Sequence, residues 1–190
     1  LANPPLAVDI PKTKVSYRPL LCIALVVFAL DQITKTWVFN ILELNSYNYP
    51  DSIQVIRGFF YIVHIGNEGA AWGLFSGYSG WLALFALFAL GIIYKYRHCL
   101  ELHRPIMQLA FGLLIGGILG NLSDRMIHGH VIDFLDFHFP FNIPLVMPTG
   151  RYPSFNIADC GIIVGALLYG WLSFRQPKST EIDKNTKAAD

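Results

Sequence analysis

The sequence predicts an all-α integral membrane protein of four transmembrane helices. Both termini are expected in the cytoplasm, with a small β-rich extracytoplasmic segment between helices 1 and 2 and a second outer loop between helices 3 and 4. Three observations carry this prediction. Of 190 residues, 54% are hydrophobic and only 14% charged, whereas a soluble domain of this size carries about 25% charged residues. Four apolar runs approach the ~20 residues that a helix needs to cross the hydrocarbon core. The cations are also lopsided: Lys12, Lys14 and Arg18, then Lys95, Arg97 and Arg104, then Arg175, Lys178, Lys184 and Lys187 all fall on one side of those runs. By the positive-inside rule that side is cytoplasmic.

The first run covers 19–42. Basic residues followed by LLCIALVVFAL resemble a cleavable leader, but no small-residue cleavage site follows, so the run is read as a retained span. Leu21 stands where a lipidation box before Cys22 needs a small residue. The chain opens on Leu1 without an initiator Met, which points to a trimmed or tagged chain. The second run covers 78–94, the third 106–121 and the fourth 157–174. The last three are short, so their polar ends lie near the acyl region. These boundaries give a single membrane domain at 19–176, with outer segments 45–77 and 122–156, between cytoplasmic tails 1–18 and 177–190.

The first outer segment contains SIQVIRGFFYIVHI, rich in β-branched and aromatic residues and interrupted by Gly58, a pattern of short strands. NEGAAWGLFSGYSG then reads as a loop entering span two. The second outer segment starts as a helix extension, NLSDRMIHGH, and passes into VIDFLDFHF. If VIDFLDF is extended, Asp133 and Asp136 point to opposite faces. FPFNIPLVMPTGRYPS, full of Pro and aromatics, reads as an irregular loop lying on the membrane, a candidate lid.

Acidic residues at the edge of hydrocarbon are costly and mark candidate functional sites. Asp133 follows the third run and Asp159 opens the fourth. Asp31 and Lys35 in DQITK share a helix face at i, i+4, and an anchoring ion pair is the first expectation for them, ahead of a direct role in chemistry. Gly112, Gly116 and Gly120 on span three, and Gly161 and Gly165 on span four, form small-xxx-small faces. Packed together, these faces would bring Asn121, Asp124 and Arg125 near Asn156 and Asp159. Spacing leaves two options for Asp124 and Arg125, an ion pair with neighbours or hydrogen bonds to a bound peptide. Asn156 suits a helix N-cap, whereas Asp159 already lies inside the span. Cys22, Cys99 and Cys160 read as buried free thiols, having no metal-like spacing. The histidines, including His128, His130 and His138, form no HExxH pattern, and no metal site is expected. No GxSxG, SxxK or Walker-type sequence supports serine or nucleotide chemistry. No basic stripe suggests nucleic acid.

Taken together, DQITK, NEGAAWG, GGILGNLSDR, VIDFLDF and FNIAD, in this order and across four spans, resemble the lipoprotein signal peptidases (the bacterial prolipoprotein signal peptidase, or signal peptidase II, family). These are inner-membrane aspartyl endopeptidases. The resemblance implies catalytic roles for Asp133 and Asp159, a substrate groove lined by Asn67, Asn121, Arg125 and Asn156, and supporting roles for Asp31, Lys35 and Asp124. It implies no metal and no cofactor. The implied partners are a lipidated prolipoprotein and membrane lipids, with the protein a monomer and nucleic acid not involved. The implied location is the bacterial inner (cytoplasmic) membrane, crossed several times, with the active site at the extracytoplasmic face. Cleavage just before a diacylglyceryl-modified cysteine, by water activated between two aspartates, is the implied reaction. The long connector 138–153 departs from the family pattern. Two other classes fit less well: a proton-coupled transporter using Asp31, Lys35 and Asp159 as a relay, and a non-catalytic assembly subunit held by its glycine faces. The first needs polar groups through the midplane of several spans, and spans two and four have essentially none. The second leaves the outer acids without a task.

Overall fold

The structure, a computed structural model, describes residues 15–48, 50–70 and 74–175. The rest of both expected tails, and positions 71–73 of the NEGAAWG string, lie outside the described residues. In chain order the elements are α1 (Arg18–Ile41), β1 (Ile53–Ile56), β2 (Phe60–Asn67), α2 (Ser79–Tyr96), α3 (Pro105–His128), β3 (Val131–Phe137) and α4 (Ile157–Phe174). All four helices are long and apolar enough to cross a membrane. At ~1.5 Å rise per residue, the 24-residue α1 and α3 reach about 36 Å, while the 18-residue α2 and α4 reach about 27 Å.

Local sequence sets the helix ends. α1 and α3 begin with Pro in the first turn, where the missing N–H costs nothing and φ is already helical. α3 continues past Asn121 through the expected helix extension and stops at Gly129, which takes the left-handed conformation (φ 79°) that closes a helix C-terminus. α4 starts from a capping box. The Asn156 side chain accepts from the Asp159 N–H at 2.9 Å, and the Asp159 carboxylate accepts from the Asn156 N–H at 3.1 Å.

α3 is the axis of the bundle, and its glycines let two neighbours approach its backbone. The sequence pattern pairs the Gly112–Gly116–Gly120 stripe with α4, but that stripe packs on α1 instead. A methyl group on Gly116 would lie 2.6 Å from the Ala24 carbonyl oxygen, and one on Gly120 would collide with the Asp31 carboxylate. The contact with α4 uses Gly117, set against the Ala158 carbonyl, and α4's own Gly161 and Gly165, set against the carbonyls of Leu113 and Ala110. α2 packs on α3, and only its Ala83 is buried. At the end away from the sheet, Leu20, Leu102, Met107, Phe111 and Leu172 form one core. There Gln108 donates to the carbonyls of Ser16 and Leu102 at 3.0 and 2.7 Å and accepts from the Leu20 N–H at 3.3 Å.

The three strands form one antiparallel sheet in the order β1-β2-β3. Gly58, at φ 74°, makes the β1–β2 turn. β3 comes from the segment between α3 and α4, so strand structure is not confined to the stretch between the first two helices, and the second outer segment is more than a loop. β2 is the central strand and its backbone pairs on both edges, with β3 set so that Ile65 faces Asp133 and Tyr61 faces Asp136. The fold class is therefore a four-helix bundle carrying a small mixed-origin sheet. Val38 of α1 and Ile132 and Phe134 of β3 form the core beneath it. The cysteines differ from expectation: Cys22 and Cys99 are exposed and Cys160 is half-buried, all three free. Cys22 lies on an apolar helix surface, which faces lipid in a membrane span, so burial by protein is not required.

Candidate active site

The polar residues of five elements, α1, β2, α3, β3 and α4, meet where the helices end beneath the sheet. Lys35, one turn beyond Asp31 on α1, is 1% exposed. Its ammonium contacts Asp31 Oδ2 at 2.8 Å, Asp124 Oδ2 at 2.9 Å and Asn121 Oδ1 at 2.9 Å. An ammonium has three protons to donate, and these three acceptors use them all. The two carboxylates each hold another element. Asp31 Oδ1 accepts from the Ala158 N–H at 2.8 Å, pinning the positive N-terminus of α4, and Asp124 Oδ2 accepts from the Ile132 N–H at 3.0 Å, pinning β3. The expected anchoring pair is thus a three-residue ionic hub that joins α1, α3, β3 and α4. Gln32 completes it, donating to Asp124 Oδ1 at 3.0 Å and to the Gly120 carbonyl at 3.3 Å. The sequence reading passed over Gln32, although its place inside DQITK was the available signal.

On that hub stand two carboxylates far apart in sequence. Asp133 Oδ1 accepts from the Asn156 amide at 2.7 Å and Oδ2 from the Asn67 amide at 2.9 Å. Asp159 Oδ1 accepts from the Asn121 amide at 2.8 Å, and Oδ2 takes the Asn156 N–H of the capping box. Asn156 and Asn121 are themselves linked at 3.2 Å, so the acids hang from one continuous amide chain. Each carboxylate oxygen receives one protein hydrogen bond and keeps a second lone pair. Both acids line a single cavity of about 920 Å³, together with Asn67, Asn121 and Arg125. Burial pushes the Asp133 carboxyl far above the usual carboxylate range, to about 7; the neighbouring Asp159 charge adds to the rise, and the Asn67 and Asn156 donors and Lys35 offset part of it. A carboxyl raised by burial beside a second acid in a cleft is a recurrent property of catalytic sites.

Arg125 does not pair with Asp124. Its guanidinium donates to the Gly69 carbonyl at 2.9 Å and to the Asn121 carbonyl at 3.3 Å, and the Gly69 N–H in turn donates to Asn67 Oδ1 at 2.9 Å. Arg125 therefore fastens the loop after β2 to α3 at the mouth of the cavity. All nine residues singled out in the sequence fall in this one network. Among the described residues the histidines form no metal-ligating group. His138 Nε2 lies 2.8 Å from Asp136 Oδ2, while the His128 and His130 rings lie 6.1 Å apart. Burial, followed by His128 and His64, holds His130 below its ordinary value.

Asp136 occupies the other face of β3, as extended structure requires. It is fully buried, held by Arg151 Nε on Oδ1 at 2.8 Å and by the second guanidinium nitrogen on Oδ2 at 2.8 Å, with Ser154 also donating at 3.3 Å. Arg151 lies over the Tyr47 ring at 4.8 Å. Nothing in the spacing from 136 to 151 announces this pair.

Comparison with known proteins agrees with the geometry. The profile of the family described as signal peptidase (SPase) II matches residues 23–175. The chain belongs to the signal peptidase II family. It is 36% identical over 165 residues to the lipoprotein signal peptidase of Shewanella sp. (strain MR-4), spanning 84% of this chain and 88% of that protein. It is 37% identical over 158 residues to the lipoprotein signal peptidase of Desulforapulum autotrophicum, spanning 79% and 88%. Among solved structures, a bacterial membrane enzyme determined by the in meso method at 2.3 Å superposes with a TM-score of 0.69 at 28% identity, over 87% of this chain and 93% of that one. The chain is accordingly a multi-pass membrane protein of a peptidase family.

Proposed function

We propose that this signal peptidase II family member is an aspartyl endopeptidase. In this reading it removes the signal peptide from diacylglyceryl-modified prolipoproteins, cutting just before the lipidated cysteine. The observation that carries the proposal is the meeting of Asp133 and Asp159 in one cavity, oriented by asparagine amides with a lone pair left on every oxygen. Two close carboxyls cannot both ionise cheaply, so the pair holds one proton and titrates as a unit. The ionised member takes a proton from water, whose oxygen attacks the scissile carbonyl. The protonated member hydrogen-bonds to the developing oxyanion, and a proton from the pair then passes to the leaving amine. Asn67, Asn121, Arg125 and Asn156 orient the carboxyls and the peptide; Asp31, Lys35 and Asp124 hold the elements that carry them.

Placement supports the substrate class. The cavity wall runs from the dyad to Ile163 and Val164 on the exposed apolar face of α4. Acyl chains lying along that face stay in lipid while the peptide bond reaches the polar floor. In this reading, which the positive-inside charge pattern supports, both termini lie in the cytoplasm and the dyad lies at the extracytoplasmic surface of the bacterial inner membrane, in a monomer.

Incubating the purified protein with a lipidated precursor peptide should yield two products. Asp133→Asn and Asp159→Asn should each abolish cleavage while the protein still inserts and folds, because each proton-transfer role is worth about 10²–10⁴ in rate. Wild-type turnover by either variant refutes the dyad.

A further inference from the structure

Residues 139–150 leave the sheet after β3 and return to it before α4. No residue in this excursion carries an ionisable side chain. Its base is closed on the protein: the Phe139 N–H donates to the Gly150 carbonyl at 2.7 Å, the Tyr152 N–H to the Phe137 carbonyl at 2.9 Å, and Arg151 and His138 both bind the buried Asp136. Within the excursion, the Met147 and Ile143 backbones bond to each other in both directions, at 2.9 and 3.2 Å, and the Met147 side chain is buried. The tip is therefore built, yet its apolar side chains point outward. Phe141 is 53% exposed, Ile143 42% and Leu145 95%. Leu145 also adopts φ 71°, a left-handed conformation that a leucine rarely takes.

A folded finger with a charged base and an uncharged apolar tip has the polarity of a segment at a membrane interface. Its position gives the apolar side an occupant. Val146 of the finger lines the same cavity as Ile163 and Val164, which belong to the apolar surface of the α4 span. The tip thus continues a surface that faces acyl chains, on the side where the cavity opens. We propose that the 139–150 finger inserts its tip, Phe141, Ile143 and Leu145, into the bilayer beside α4, and that the Asp136–Arg151 pair is the staple that sets its angle. The finger then fixes the height of the cavity mouth against the lipid. This surface is independent of the chemistry at the dyad.

The test places the photo-crosslinking residue p-benzoyl-phenylalanine at position 145, and separately at Arg57 in the β1–β2 turn. The full-length protein is reconstituted in phosphatidylethanolamine–phosphatidylglycerol vesicles and irradiated, and adducts are read by mass. The expected result is a phospholipid adduct at 145 in at least tenfold higher yield than at 57. Equal lipid yields at the two positions, no lipid adduct at 145, or chain-to-chain dimers as the main product at 145 would each overturn the proposal. The staple is tested by Arg151→Met in the same assay. The lipid adduct at 145 should fall severalfold while the circular-dichroism helix content is unchanged, and an unchanged yield removes the staple from the proposal. None of these readouts requires peptidase activity, so failure here is distinct from failure of the proposed reaction.

Discussion

Asn156 is the residue on which the two acids most depend, and replacing it separates two tasks. Its amide donates to Asp133 Oδ1 at 2.7 Å, while its side-chain oxygen caps α4 by accepting from the Asp159 N–H at 2.9 Å. Asn156→Ser keeps a capping oxygen of similar rank but has no second group to reach Asp133. A hydrogen bond to an ionised group contributes about 1.5–3 kcal/mol, and about 1.4 kcal/mol is tenfold in a proton equilibrium. The Asn156 bond lowers the Asp133 proton affinity, so its loss raises that affinity by about ten- to a hundredfold. If the pair must release one proton to act, the acid limb of the rate profile moves to higher pH. At pH 6 the serine variant should cleave about ten- to a hundredfold more slowly, and much of the deficit should return near pH 9. Asn156→Ala should show the same shift and in addition lose about 1 kcal/mol of stability, the usual worth of a cap. The assay is single-turnover release of signal peptide from a lipidated precursor in detergent across pH 5–9, alongside thermal unfolding. A serine variant with the wild-type rate and wild-type acid limb would refute both the contact and its role.

Further outcomes follow from the same geometry. Because Asp133 binds its proton up to about pH 7 in the folded protein and only up to the ordinary carboxylate range when unfolded, the folded state holds the extra proton between those limits. Stability therefore falls as pH rises from about 4 to about 7, and Asp133→Asn should flatten that slope in thermal unfolding measured at pH 5 and pH 8. Asp159→Asn removes a charge that raises Asp133, so the Asp133 carboxyl signal in carbon-detected NMR should titrate at lower pH than in the wild type. Lys35→Met leaves Asp31 and Asp124 buried without their cation, a loss of about 3–5 kcal/mol that denaturant unfolding would register; a change below 1 kcal/mol contradicts the hub. Asp136→Asn, on the far face of β3, should keep kcat within a fewfold of wild type, and a dead variant would mean the wrong acid was placed at the dyad.

Much of this arrangement is legible in the sequence, for identifiable reasons. Span α4 is legible to the residue because an Asn cap opens it and an uninterrupted apolar run follows. The two faces of VIDFLDF are legible because strand periodicity separates Asp133 from Asp136 whatever the strand pairs with. Which glycine face meets which helix is not. Gly112, Gly116 and Gly120 recur on one side of α3, but a stripe carries no label for its partner, and Gly117, one residue off the stripe, makes the contact with α4. The pairing of β3 with β2 joins residues as far apart as Phe60 and Phe137, and nothing local encodes such a partner. The Asp136–Arg151 pair is hidden for the same reason: it crosses an excursion of irregular backbone that no period describes.

The site's design turns on where buried charge is compensated and where it is left short. Asp31 and Asp124 share a lysine and each accepts one backbone N–H, and neither lines the cavity. Asp133 and Asp159, a few residues away in space, are given neutral amides in place of a cation of their own. Amides orient a carboxylate without fixing its charge, whereas an ammonium at contact distance would hold it ionised. A dyad that must gain and lose a proton during each turnover needs the first kind of partner. The ionic hub therefore belongs one layer deeper, where it locks α1, α3, β3 and α4 together, and its nearest contact with the dyad is through Asn121, which accepts from Lys35 and donates to Asp159. Exchanging Asn121 for Asp would put a third carboxylate between lysine and dyad. The Lys35 contact would survive, but the donor to Asp159 would be lost and like charge added beside it, so cleavage should fall at least a hundredfold with little loss of folded protein.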